Sequence, residues 1–200
     1  MIYIVTHKKS PVLFPIGNVF YYSLKDNGYD VNHLRLREIN NCRYRNGDVV
    51  IVIGAGRFPT FDEKQKQSGV KYVLWNSEPF PITPEEFKTK VYIKRFENFK
   101  RWVVPYDYYF DHTLRQYEYM NRLGFKCDGW CEIGYHKTLD FTDKYKEDFE
   151  YDVLFIGGRR SMTSQSRRIK ILEEIGQRCK VYPSYDRMFD EKKIEAFFKC

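Results

Sequence analysis

The densest chemical signal in the chain is the segment Phe155-Ile-Gly-Gly-Arg-Arg-Ser-Met-Thr-Ser-Gln-Ser-Arg-Arg168. It reads as a strand end, a Gly157-Gly158 turn and a helix start, a geometry that aims backbone N–H groups and the positive end of a helix dipole at one point. Arg159, Arg160, Arg167 and Arg168 crowd that same helix start, where each cation is disfavoured by roughly 0.3–1 kcal/mol. A bound phosphate or diphosphate reverses the sign and accepts bidentate hydrogen bonds from arginine. The segment is therefore expected to hold an anion, against the plainer reading of a solvated arginine-rich loop. It is not a Walker loop, because Gly-x4-Gly-Lys-Ser/Thr is absent.

Two side chains elsewhere have the chemistry of a general base. His7 follows the first expected strand and Glu78 follows the fourth, so both fall at the carboxyl edge where open α/β sheets bind ligands. For each the competing reading is a loop side chain without catalytic duty. The run Tyr106 to Phe110 with His112 is read as core or a half-exposed face before it is read as a platform for stacking a sugar or base. Gly54-Ala55-Gly56 lacks the third glycine of a dinucleotide fingerprint and meets Pro59 where a helix would open. The five cysteines are odd in number and scattered, which favours reduced thiols. Cys127 and Cys131, with three intervening residues rather than two and His136 nearby, have no second ligand pair, so no metal site is expected. Neither a Gly-x-Ser-x-Gly elbow nor a His-Glu-x-x-His helix occurs, and hydrolase chemistry is unsupported.

The elements that must position these groups follow an α/β rhythm. Ile2 to Thr6 reads as a strand, followed by a loop through Pro11, Pro15 and Gly17-Asn18. A helix over Val19 to Asn27 is stopped by Gly28. Asp30 to Arg37 suggests a second strand, and the β-branched run Val49 to Ile53 a third, of the kind buried on both faces of a parallel sheet. A polar helix over Phe61 to Gln67 precedes a fourth strand, Lys71 to Trp75. Thr83-Pro84-Glu85-Glu86 has the cap, proline and acids of a helix start. Lys88 to Tyr135 is less legible, with short strands expected at 101–104 and 130–133 and a helix over His112 to Leu123 ended by Gly124. After a charged linker at 137–150 the rhythm restarts. A strand at Tyr151 to Ile156, a helix at Arg167 to Gln177, a strand at Cys179 to Tyr182 and a last helix capped by Asp190 are expected.

Thirty-four Lys and Arg against 27 Asp and Glu leave a net charge of +7 in 200 residues. That excess suits nucleic acid, an anionic surface or a phosphorylated ligand. With 42% hydrophobic and 18% aromatic residues the chain is globular and not disordered. No apolar run approaches the roughly 18–20 residues of a transmembrane helix, and the strand-like N-terminus does not resemble a secretory signal, so a cytoplasmic location is expected. Only two alanines occur among abundant Lys, Tyr, Phe, Ile and Asn, a bias of A/T-rich coding such as many viruses and phages use.

Taken together, the Gly17-Asn18 pair, the Trp75-Asn76-Ser-Glu78-Pro79 segment and Asp152-Val-Leu-Phe-Ile-Gly-Gly-Arg-Arg160 resemble GT-B glycosyltransferases, in particular the group related to bacterial spore-maturation proteins and glycosyl transferase group 1-like chains. The resemblance implies two Rossmann-like parallel-sheet units: an acceptor-side unit at 1–136, a linker at 137–150, and the start of a donor unit at 151–200. It implies a nucleotide-diphosphate sugar as donor, its diphosphate held by Gly157, Gly158, Arg159, Arg160, Ser164 and Arg167. On the acceptor side it implies Gly17, Asn18, Trp75 and Asn76, with Glu78 and His7 as catalytic candidates. Such enzymes work without a catalytic metal or other cofactor, the helix dipole and basic side chains offsetting the leaving-group charge. The acceptor is unidentified, with a glycan and DNA as the candidates. The segments that would hold the donor's ribose and base are expected beyond Cys200, which makes the 200 residues a fragment unsuited to activity by themselves. The rival reading is a basic α/β module that binds nucleic acid without catalysis.

Overall fold

The structure is a computed structural model describing residues 1–7, 13–54, 65–77, 80–83, 86–88, 90–134, 136–137, 153–156, 170–171 and 173–184. The chain divides into two compact units, Met1–His136 and Lys137–Cys200.

The first unit is built on a parallel sheet whose strands are β1 (Ile2–Thr6), β2 (Val31–Arg35), β3 (Val49–Ile53), β4 (Lys71–Asn76), β5 (Tyr108–Asp111) and β6 (Gly129–Trp130). Their order is β2-β1-β3-β4-β5-β6, and every pairing is parallel. The chain leaves β1 in one direction and, after β2, builds the rest of the sheet in the other. The order therefore reverses between β1 and β3. Side-chain alternation assigns the two faces. Tyr3, Val5, Val50, Val52 and Tyr72 gather on one face with Ile39, and the same face continues through Leu74 and Tyr109. Ile4, Ile53 and Trp75 lie on the other.

Helix α1 (Leu13–Asp26) covers the Ile4 face through Leu13 and Ile16. It begins six residues before the expected start, so Pro15, Gly17 and Asn18 are helical and not part of a loop. Proline is tolerated in a first helical turn, where its missing N–H has no partner to lose. Gly28 stands beyond the helix end at φ 82°, in the left-handed conformation that glycine adopts without a Cβ penalty.

Helices α2 (Lys90–Trp102) and α3 (Leu114–Arg122) cover the opposite face. Phe99 of α2 and Met120 of α3 are both fully buried against Leu74 and Tyr109. The expected strand at 101–104 is instead the end of α2 and the turn that follows it. In α2 the core is touched mainly by Phe96 and Phe99, one turn apart, and the charged residues around them, Lys94, Arg95, Glu97, Lys100 and Arg101, hide the helical period. The residues Tyr108 to Phe110 form strand β5 with Tyr109 inward and Tyr108 41% exposed. Thr83 accepts the Phe87 N–H at 3.1 Å at the head of a 3-10 turn, Glu86–Lys88, while Pro84 and Glu85 lie outside the described residues.

In the second unit β7 (Val153–Ile156) runs parallel to β8 (Val181–Ser184), Val153 opposite Val181 and Ile156 opposite Ser184. Residues 170–171 and 173–176 between them are helical. No helix among the described residues is long and apolar enough to cross a membrane. The architecture is thus α/β, with a six-stranded parallel sheet consistent with a Rossmann-like unit.

Candidate active site

The carboxyl ends of β4 and β5 bring together a set of side chains that sequence reasoning did not assemble. Asn76 ends β4, Asp111 ends β5, and the two are register partners. Immediately after Asp111 come His112 and Thr113. Thr113 is the N-cap of α3, its hydroxyl accepting the Gln116 N–H at 3.2 Å. Strand end, histidine, cap and helix thus follow without a spare residue, and the first turn of α3 turns Gln116 back toward the sheet.

Asp111 is completely buried. Its Oδ2 accepts hydrogen bonds from Asn76 Nδ2 at 3.0 Å, Gln116 Nε2 at 3.0 Å and the Tyr109 hydroxyl at 2.5 Å. Its Oδ1 accepts the His112 N–H at 2.8 Å and faces His112 Nδ1 at 3.1 Å. Burial by itself raises the pKa of this carboxyl. The bonds from His112, Tyr109, Asn76 and Gln116 outweigh that effect and hold it below the ordinary aspartate value. Burial and the neighbouring charge of Asp111 push the Tyr109 phenol upward, so it stays protonated and donates. Gln116 is fixed in turn by the Phe80 N–H, which its Oε1 accepts at 3.1 Å. The carboxylate is a permanent buried anion with its acceptor positions filled.

His112 connects this anion to the surface. Its side chain is 20% exposed and its ring meets Trp75 edge-on, with centroids 6.4 Å apart. Nδ1 faces two acceptors, Asp111 Oδ1 at 3.1 Å and the Asn76 carbonyl at 3.2 Å. Two acceptors at one ring nitrogen assign the proton to Nδ1. The neutral imidazole then presents its lone pair at Nε2, which has no hydrogen-bond partner among the described residues. A buried carboxylate that fixes the tautomer and orientation of a partly exposed imidazole equips it to take a proton from a substrate O–H or N–H.

The candidates taken from the sequence are placed differently. Trp75 is 2% exposed, packs with Ile4, Leu13, Ile16 and Ile53, and donates Nε1–H to the Cys131 carbonyl at 2.9 Å. It is a core side chain that backs His112. Asn76 is fully buried and serves Asp111. Gly17 is a close-packing position on α1, where a Cβ would overlap Thr6 Cγ2 and approach His33 Nε2 to 3.1 Å. Asn18 is half-buried on the same helix. His7 directly follows β1, three strands from β5, which at about 4.8 Å per strand puts it roughly 14 Å along the edge from His112. Glu78 and the whole 157–168 segment, with Gly157, Gly158, Arg159, Arg160, Ser164 and Arg167, lie outside the described residues. The cue that could have found the dyad is Asp-His-Thr directly after an alternating Tyr-Tyr-Phe, a strand end running into an N-cap.

Cys127 is buried, its thiol directed at the Gly129 carbonyl at 3.3 Å, and burial pushes its pKa up to about 12. Cys131 is exposed. His136 is buried, with Nε2 3.2 Å from Asp26 Oδ2 and its ring stacked on Tyr22. Among the described residues no group of three or more His, Cys, Asp or Glu side chains is arranged to hold a metal ion. No protein-family model matches this chain, and no curated protein matches it significantly.

Proposed function

We propose that the protein is a GT-B-type glycosyltransferase that moves a sugar from a nucleotide-diphosphate sugar to an acceptor hydroxyl, with His112 as the base that accepts the hydroxyl proton. The observation that carries this reading is the Asp111–His112 pair at the carboxyl edge of a parallel sheet, where open α/β folds receive ligands. Transfer to a hydroxyl requires that the O–H proton leave as the new C–O bond forms and the bond to the diphosphate breaks. His112 Nε2 takes that proton, and the fixed charge of Asp111 stabilises the imidazolium produced. The sequence assigns the leaving diphosphate to the glycine-arginine segment at 157–168, whose residue types are suited to offset its charge without a metal. The acceptor, unidentified and with a glycan and DNA as candidates, is assigned to the 1–136 unit.

Thermal-shift titration with UDP, GDP and their sugars, on protein expressed from its complete reading frame, tests the donor. Ligand at 100-fold over Kd adds about 2.7 kcal/mol, and at about 2–4 °C per kcal/mol for a chain of this size Tm should rise by roughly 5–10 °C. Stabilisation by none of them overturns the reading. With the sugar that binds, His112→Asn is expected to lower transfer by about 10²–10⁴-fold while leaving the nucleotide-induced shift intact. An unchanged rate would remove His112 from the chemistry.

A further inference from the structure

The outer surface of α2 holds charge that the proposed site does not use. Lys90, Lys94 and Arg101 stand at i, i+4 and i+11, which places them within about 40° of one another around the helix and about 16 Å from end to end. All three are exposed, as is Lys88 in the preceding turn. None of the four has an ion pair or hydrogen bond among the described residues. The anion on this face, Glu97, is taken by Lys100 at 2.6 Å. Like charges at i, i+4 destabilise a helix by about 0.2–0.5 kcal/mol per pair, so the row weakens α2 unless something anionic lies against it.

An apolar flank runs beside that row. Ile93 is 37% exposed and Phe87 38%. Phe87 rests edge-on against Phe96, which also lies under the Lys100 ammonium. Helix α3, packed on the same side of the sheet, continues both features with exposed Arg115 and Arg122 and with Leu114 and Leu123, 44% and 45% exposed, against a single Glu118.

We propose that this α2–α3 surface docks the protein on an anionic lipid bilayer, the cations at the headgroups and Phe87 and Ile93 in the interface. A cationic row alone suits any polyanion. Exposed apolar side chains interleaved with lysines are what an interfacial helix needs, and a nucleic-acid backbone makes no use of them. The exposed described side chains of α2 are Lys90, Ile93, Lys94, Glu97, Lys100 and Arg101, without an amide or hydroxyl to read a base, and Asn98 and Tyr92 are half-buried. On α3 the Asn121 amide is already committed to the Tyr117 and Cys127 carbonyls.

Co-sedimentation of the full chain with vesicles separates the outcomes. Binding is expected to phosphatidylcholine vesicles containing phosphatidylserine, to be lost with phosphatidylcholine alone, and to weaken as salt rises. Lys90→Gln with Lys94→Gln should reduce partitioning about 30-fold, at roughly one unit of surface attraction per lysine. Phe87→Ser with Ile93→Ser should also reduce it, with every charge retained. Circular dichroism should show both variants folded, the lysine variant with an unchanged or slightly raised Tm and the Phe87/Ile93 variant with a modestly lowered one because Phe87 also packs on Phe96, so partitioning is compared well below either Tm. The proposal is overturned if phosphatidylserine does not promote binding. It is equally overturned if duplex DNA binds as tightly as the vesicles and the Phe87/Ile93 variant binds both like the parent, which would make the surface a nucleic-acid site.

Discussion

At the scale of single residues, Asp111 is the side chain whose role the surroundings determine most completely. Five hydrogen bonds converge on a carboxylate with no exposure. Asp111→Asn places an amide N–H₂ among those donors and removes the charge, and should cost about 2–4 kcal/mol of stability at neutral pH. The pH dependence has a definite sign. The folded pKa lies below the ordinary value of about 3.9, so the unfolded state binds the proton first as the solution is acidified. The stabilisation is fully present above about pH 4 and is lost as pH falls through the folded value. The difference in unfolding free energy between parent and variant, followed by urea denaturation, should therefore be constant near neutrality and shrink on acidification. A gap that stays constant down to the acid limit would show that the carboxylate is not held as an anion.

At the scale of elements, the packing of α1 on β1 and β2 depends on one missing side chain. Gly17 faces Thr6 and the His33 ring, which are joined to each other at 2.8 Å and backed by Phe14 stacked on His33 at 5.1 Å. Helix propensity favours Gly17→Ala by about 1 kcal/mol. The overlap with Thr6 acts the other way, and Thr6 is 1% exposed and held by β1. The helix must lift or His33 must turn, so Gly17→Ala is expected to destabilise by about 1–3 kcal/mol. Calorimetry showing a raised Tm would mean that α1 shifts freely and the close approach is unimportant. His33 itself is held neutral, because burial lowers its pKa. Its contribution weakens as pH drops below about 6.5, where the unfolded imidazole takes a proton that the folded one refuses.

At the scale of the whole molecule, the first unit contains its own tethers. The N-terminal ammonium is bound to Asp48 at 3.0 Å, and Asp48 also accepts the Arg45 N–H at 2.7 Å. Asp107 joins Lys66 at 2.6 Å to the Tyr72 N–H at 2.7 Å, closing β4 onto the entry to β5. Burial raises both carboxyl pKa values, but the hydrogen bonds and cations outweigh it and hold them below the ordinary range. All three described core clusters draw their members from residues before 137. Residues 1–136 produced alone should therefore unfold in one cooperative transition, coincident by circular dichroism and tryptophan fluorescence, with stability falling below about pH 4. Non-coincident transitions would show that the sheet needs the remainder of the chain.

Most of the sheet was legible from local signals. Val49–Ile53 and Lys71–Asn76 are apolar runs bounded by Gly47, Gly54 and Gly69, and a strand buried on both faces leaves that mark in the order of its residues. Gly28 and Gly124 marked helix ends because their positive φ is costly for other residues. Helix α2 was not legible, because Phe96 and Phe99 anchor it while nearly every other position is charged or partly exposed. The start of α1 was misread because Pro15 and Gly17 are loop residues by propensity. Only packing against Thr6 and Ile4 makes that stretch helical and gives Gly17 its use. The Asp111–His112 pairing was hidden for a related reason. Asp111 and His112 are adjacent in the chain, but what defines them is the register that sets Asn76 opposite Asp111 and the turn that brings Gln116 back. Local sequence determined which segments are strands and where helices stop, because those depend on neighbours a few residues away. The tertiary structure alone decided that Asp111 is a buried anion and His112 its outlet, since burial comes from the neighbouring strands and helices, the Asn76 donor stands 35 positions away and the Phe80 N–H that fixes Gln116 stands 36 positions away.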